Sequence, residues 1–100
     1  MARYELTNKA LEDLSDIWNY TTENWSGNQA DKYYQLLIES FKEIASQPNI
    51  GRSYTEILDG LRGLKVGRHI VFFKSADRHK IEIIRILHEQ MDLKNRIENK

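Results

Sequence analysis

Apolar residues recur along this chain with two different periods, and the change between them divides it near the middle. Ala2-Arg3-Tyr4-Glu5-Leu6-Thr7 alternates in polarity, which predicts a brief strand with Tyr4 and Leu6 turned inward. Thr7 or Asn8 then stands where a helix N-cap belongs, and Leu11, Leu14, Ile17, Trp18, Thr21 and Trp25 follow at three- and four-residue steps. That is the stripe of an amphipathic helix. Glu12, Asp13, Asp16, Asn19 and Glu23 fall on the opposite face and are expected to be solvated. Asn24-Trp25-Ser26-Gly27-Asn28 carries turn chemistry, with Gly27 free to take positive φ. In the next helix Ala30, Tyr33, Tyr34, Leu37, Ile38, Phe41, Ile44 and Ala45 cover an arc of about 140°, wide enough to meet both a neighbouring helix and a sheet. Pro48 ends that helix, because its ring excludes α geometry at the residue before it.

Beyond Pro48 the helical period disappears. Asn49 to Gly60 reads as a loop, with Gly51 and Gly60 at positive-φ positions. Leu61 to Val66, Arg68 to Ser75 and Lys80 to Leu87 are rich in β-branched and aromatic residues and are separated by turn residues, which predicts three hairpin-linked strands. Ile81 to Leu87 is apolar on both faces, as a central strand would be. From Glu89 to Lys100 only Met91, Leu93 and Ile97 are apolar, which fits a short, fraying helix. The sum is an α+β fold of order β-α-α-β-β-β. Its helical hairpin packs on one face of a small antiparallel sheet, a short C-terminal helical tail follows, and the other sheet face is left uncovered.

Composition narrows the picture. One hundred residues with 40% hydrophobic content, 30% charge and one proline are expected to form a single domain over residues 1–100, with any binding site on a groove or a face. The lack of cysteine removes disulfide frameworks, thiolate metal sites and cysteine nucleophiles, and makes the cytoplasm the expected compartment. No apolar run approaches the roughly 20 residues of a membrane span, and Met1-Ala2-Arg3-Tyr4-Glu5 leads into no apolar signal core. The net charge of zero hides an asymmetry: residues 1–50 hold four basic and eight acidic residues, a balance of −4, and the remainder balances at +4. A basic surface from the second half suits an acidic partner, while global neutrality argues against strong nonspecific nucleic-acid binding.

The side chains that could carry chemistry each have an ordinary explanation. His69, His79 and His88 match no metal-ligand spacing, and no metal or cofactor is expected. Glu12, Asp13 and Asp16 share a helix face but have no apolar pocket to raise a pKa. Arg85, flanked by Ile84 and Ile86, must find carboxylate or carbonyl partners, with Asp92 or Glu56 as candidates. Arg68 and His69 follow a turn glycine and are expected to reach water. Trp18, Trp25, Tyr33 and Tyr34 are read mostly as core, and Tyr20 as exposed near the polar arc of the first helix.

Several segments in order carry a resemblance: Leu6-Thr7 with Ala10, Asp13-Leu14 and Ile17-Trp18; Trp25 with Gln29-Ala30 and Tyr33; Pro48 to Arg52; Gly60-Leu61-Arg62; Val66 to Phe73; and Arg85 to Asp92. Together they resemble the RelE/ParE superfamily of bacterial type II toxins, the ParE branch most closely, over nearly the whole chain. The resemblance implies a toxin that poisons DNA gyrase by protein binding, without bond chemistry, and that is neutralised by a ParD-like antitoxin in a hetero-oligomer. Such antitoxins fold a flexible C-terminal segment onto the toxin. The expected landing surface is the helical hairpin and the outer edge of the sheet, with Trp18, Tyr20, Tyr34, Arg62, Lys65, Arg68 and His69 as contacts. The alternatives are a RelE-like ribosome-dependent mRNA endoribonuclease using Arg52, Arg68, Arg85 and His88, or a nontoxic remnant that only binds antitoxin. Ribonuclease members typically end the last strand with an arginine followed closely by tyrosine or histidine, and here Leu87-His88-Glu89 stands there.

Overall fold

Thr7 closes the first strand and opens the first helix in the computed structural model, which describes residues 3–90 and 96–97. Its hydroxyl accepts the Ala10 N–H at 3.1 Å as an N-cap. The elements are β1 (Arg3–Leu6), α1 (Asn8–Asn24), α2 (Gly27–Ser46), β2 (Arg52–Ser53), β3 (Arg62–Val66), β4 (His69–Asp77) and β5 (Lys80–His88). Between the helices Ser26 caps α2 in a capping box with Gln29, each side chain taking the other residue's backbone N–H. Gly27 is therefore the first helical residue, with no positive φ, contrary to expectation. Gly51 and Gly60 do take positive φ, as does Gly67 in the β3–β4 turn.

The helical hairpin packs on the sheet in the α+β layout the sequence implies, and β5 is an inner strand. The strand order is β1-β5-β4-β3-β2. Two details differ. The sheet is mixed rather than antiparallel, because β1 runs parallel to β5 while β2, β3, β4 and β5 pair antiparallel in succession. A fifth strand, Arg52–Ser53, lies in the segment read as loop; two residues are too few to show a period.

Ala10, Leu14, Leu37, Phe41, Ile44, Val71, Phe73, Ile81, Ile83 and Ile86 fill the space between the helices and the sheet. The opposite face, expected to be bare, is covered. Phe72, Ile70 and Leu87 are buried there beneath Tyr54, Leu61 and Ile97, with Ile57 and Leu58 alongside. The segment after β2 folds back to make this cover because β4 is apolar at four consecutive positions, Ile70 to Phe73, and so presents greasy surface on both sides. Burying each such large side chain is worth about 1.5–3 kcal/mol. The Tyr54 ring lies directly over Gly63, where a Cβ would come within 2.7 Å of it.

Arg96 and Ile97 are helical, and Ile97 is buried on this second face. The rest of the expected C-terminal tail, residues 91–95 and 98–100, lies outside the described residues, as does Asp92. Among the described residues no helix is long and apolar enough to cross a membrane.

Among the described residues the upper part of β5 has no strand on its β1 side, since that pairing stops at Leu6 and Ile83. The start of α1 takes over. The Thr7 hydroxyl donates to the Ile84 carbonyl at 2.8 Å, and the Asp13 carboxylate accepts the Ile86 N–H at 3.0 Å. An open strand edge is thereby satisfied by helix side chains.

Candidate partner-binding surface

The outer side of the helical hairpin carries a groove of about 560 Å³ floored by Leu11, Leu14, Trp18 and Tyr34, with Asp31 and Gln35 among its polar walls. Trp18 and Tyr34 meet edge to face, ring centroids 5.6 Å apart, from facing helices. They are half-buried rather than core, and Leu11, counted with the inward stripe, is 52% exposed. The reason is width: the apolar stripe of α1 exceeds what the sheet covers, and Leu11 and Trp18, seven residues apart, share the uncovered flank. Tyr20 is exposed, as expected, but does not line the groove. A half-open apolar trough of this form suits the nonpolar side of an incoming helix or extended segment.

At the β3–β4 turn the geometry differs from the expected solvated strand start. His69 is half-buried, and its Nδ1 lies 2.6 Å from the Tyr33 hydroxyl, which also accepts the Arg68 N–H at 3.1 Å. Burial, followed by the charge of neighbouring His88, pushes the His69 imidazole down to about 4. The ring is neutral at pH 7 and can accept the tyrosine proton. Burial likewise raises the Tyr33 phenol above its ordinary value. Gly67 makes this contact possible: its φ is +59°, and a Cβ there would sit 2.6 Å from the Tyr33 ring. Trp25 stands edge-on to Tyr33 at 5.6 Å and is itself exposed. Lys65 pairs with Glu89 at 2.9 Å, and this contact holds the Glu89 carboxyl below its ordinary range.

Three arginines make side-chain contacts within the fold. Arg62 donates to the carbonyls of Asn49, Ile50 and Gly51 at 2.6, 3.3 and 3.0 Å, fastening the chain that enters β2. Arg52 lies 4.4 Å above the Tyr54 ring and 3.5 Å from Glu56. Arg85 is paired with Asp13, at 2.8 and 2.9 Å, rather than with Glu56, and also donates to the Arg96 carbonyl; the other expected partner, Asp92, lies outside the described residues. Asp13, expected on the solvated arc, is the most enclosed of the acidic trio on α1. The Asp13 contact raises the Arg85 pKa above its already high value.

Of the four candidate ribonuclease residues, these placements bring Arg68 and His88 together and leave Arg52 and Arg85 apart from each other. Register puts Arg52, Gly63, Phe72 and Arg85 in one row across four strands, so Arg52 and Arg85 stand about 14 Å apart at ordinary strand spacing. Arg68 and His88 lie at another end of the sheet, where His88 Nδ1 accepts the Gln90 N–H at 3.1 Å. The aromatic pair Trp18 and Tyr34 converges, as do Lys65, Arg68 and His69 at the turn, while Arg62 and Tyr20 stand apart from both groups. Sequence reasoning missed Tyr33 as the residue that organises the turn, and Leu11 as groove lining.

A family model described as the ParE toxin of the type II toxin-antitoxin system, parDE, matches residues 4–93. The chain is 35% identical over 92 residues to Toxin ParE1 of Mycobacterium tuberculosis, covering 92% of this chain and 94% of that protein. It is 36% identical over 92 residues to Toxin ParE1 of Caulobacter vibrioides, with the same coverage. It is 30% identical over 97 residues to Toxin ParE of Escherichia coli, covering 97% of this chain and 94% of that one. A solved structure described as the chromosomal ParDE TA system from P. aeruginosa superposes with a TM-score of 0.74 at 24% identity, over 88% of this chain and 96% of that chain, and shares the fold.

Proposed function

The chain belongs to the ParE toxin family of type II toxin–antitoxin systems, and from that premise we propose that it poisons DNA gyrase by protein binding and is neutralised by a ParD-like antitoxin. The observation that carries this reading is the match to ParE toxins across more than nine-tenths of the chain. The disposition of the cations supports a binding rather than a catalytic mode. Arg85 serves Asp13 and Arg62 serves three carbonyls, so these charges hold the scaffold together. Phosphodiester cleavage requires a base, an acid and several cations converging on one phosphate.

The antitoxin surface combines the groove of Trp18 and Tyr34 with the exposed Lys65 and Arg68 at the strand end. An acidic, apolar segment matches both parts: apolar side chains seat between the helices, and carboxylates meet the basic second half. Tyr20 contributes at the flank, and His69 acts from behind Tyr33. The complex is a hetero-oligomer, and the site of action is the cytoplasm.

A supercoiling assay tests the central claim. Purified protein should inhibit gyrase supercoiling and leave linear DNA, and antitoxin should abolish both effects. Unchanged gyrase activity at toxin concentrations well above the enzyme's overturns it. Discrete cuts in translated message, read by primer extension, would replace it with the ribonuclease reading.

A further inference from the structure

The strand at one margin of the sheet, β1, is bonded on one side only among the described residues. The Arg3 N–H donates to the His79 carbonyl at 2.7 Å, and the Thr7 N–H to the Ile83 carbonyl at 3.0 Å. Alternate residues Arg3, Glu5 and Thr7 therefore turn their backbone groups toward β5, and Tyr4 and Leu6 turn theirs outward. The other marginal strand, β2, is only two residues long, so β1 is the longer open edge.

Side chains along this edge are charged in a self-complementary order. Arg3 and Glu5 are both exposed and, two positions apart, lie on the sheet face away from the helices. Tyr4 between them packs inward, its ring 5.6 Å from Phe41. If a second β1 is laid antiparallel with its twofold axis at Tyr4, the two Tyr4 residues exchange their outward N–H and C=O groups. Arg3 of each copy then stands opposite Glu5 of the other, a carboxylate that within its own chain also lies 3.1 Å from Lys80 Nζ. The next register, centred on Glu5, sets two Glu5 side chains together beside Glu82, the residue already level with Glu5 on β5. Like charges directly opposite are unfavourable, so charge selects the Tyr4 register.

We infer that β1 is a homotypic docking edge, through which two copies of this chain pair about Tyr4 into one continuous sheet. The occupant is a second copy because the order Arg3, Tyr4, Glu5 complements itself. A four-residue edge buries well under the roughly 1,200 Å² of a stable interface, so association is weak and reversible.

Sedimentation equilibrium on the full chain tests this with two variants, Arg3→Glu and Glu5→Arg. Wild type should self-associate as concentration rises, and each variant alone should associate at least ~tenfold more weakly, since both symmetric pairs become repulsive. An equimolar mixture of the two variants should associate again. The acid introduced in one copy then faces the base introduced in the other, and the unchanged Glu5 of the first faces the unchanged Arg3 of the second; that recovery also shows both variants are folded. Monomeric wild type up to ~1 mM overturns the inference. So does self-association that neither substitution alters, which assigns the contact to another surface. If the substitutions weaken antitoxin binding while the mixture stays monomeric, the edge belongs to the antitoxin and the inference fails.

Discussion

Asp13 on the first helix and Arg85 on the last strand, 72 positions apart, meet through two hydrogen bonds at 2.8 and 2.9 Å, and the same Asp13 carboxylate takes the Ile86 N–H at 3.0 Å. Both side chains are nearly enclosed. This contact docks the helical hairpin and also ends the open edge of β5.

Replacing Asp13 with alanine leaves a confined guanidinium and a strand N–H without their acceptor. The expected loss is about 3–5 kcal/mol of stability, the range for breaking one partner of a buried pair. Urea unfolding of the wild type and Asp13→Ala measures it. A loss below ~1 kcal/mol would show that the pair behaves like a solvated surface bridge.

Stability should fall with acid through His69. In the unfolded chain this imidazole takes its proton near 6.5, and in the folded protein only near 4. Between those values the unfolded state binds more protons, so its contribution is complete above about pH 6.5, declines toward pH 4 and is flat below. Partial exposure screens the effect to about 1–2 kcal/mol. Unfolding free energies measured from pH 7 to 4 in wild type and His69→Gln should differ in slope across that window. Parallel curves would refute the assignment.

Two glycines should respond in opposite directions to alanine. Gly67→Ala combines positive φ with a clash against Tyr33 and should cost about 2 kcal/mol or more. Gly27, at the start of α2 with open space around its Cβ position, should gain up to about 0.5–1 kcal/mol. Thermal unfolding of both variants checks the contrast, and equal effects would contradict it.

For the antitoxin, Trp18→Ala and Tyr34→Ala should each weaken binding by about 2 kcal/mol or more, and Tyr20→Ala by less than ~1 kcal/mol, because only the first two line the groove. Titration calorimetry with a ParD-like antitoxin gives the values. High salt should slow association more than it speeds dissociation. A Tyr20 effect as large as that of Trp18 would move the interface away from the groove.

Local pattern determined a good deal of this protein. The three- and four-residue steps of Leu14, Ile17, Leu37 and Phe41, the cap at Thr7, the stop at Pro48 and the β-branched runs after Leu61 specify two helices followed by strands, because period and capping act within a few residues. The ordered segments from Leu6 to Asp92 were enough to point to the toxin family. Tertiary structure alone decided the remainder. On a helical wheel Asp13 falls closer to the apolar stripe than Glu12 or Asp16, about 40° from Ile17, but the partners that enclose it, Arg85 and the edge of β5, are reached only once the chain has returned. The parallel pairing of β1 with β5 depends on the whole path between them, and the Tyr54 to Leu61 cover depends on Phe72 presenting a second greasy face. His69 became a half-buried, neutral hydrogen-bond acceptor because Gly67 lets Tyr33 approach. Contacts between residues distant in sequence are selected by the energy of the assembled core, which no local period encodes.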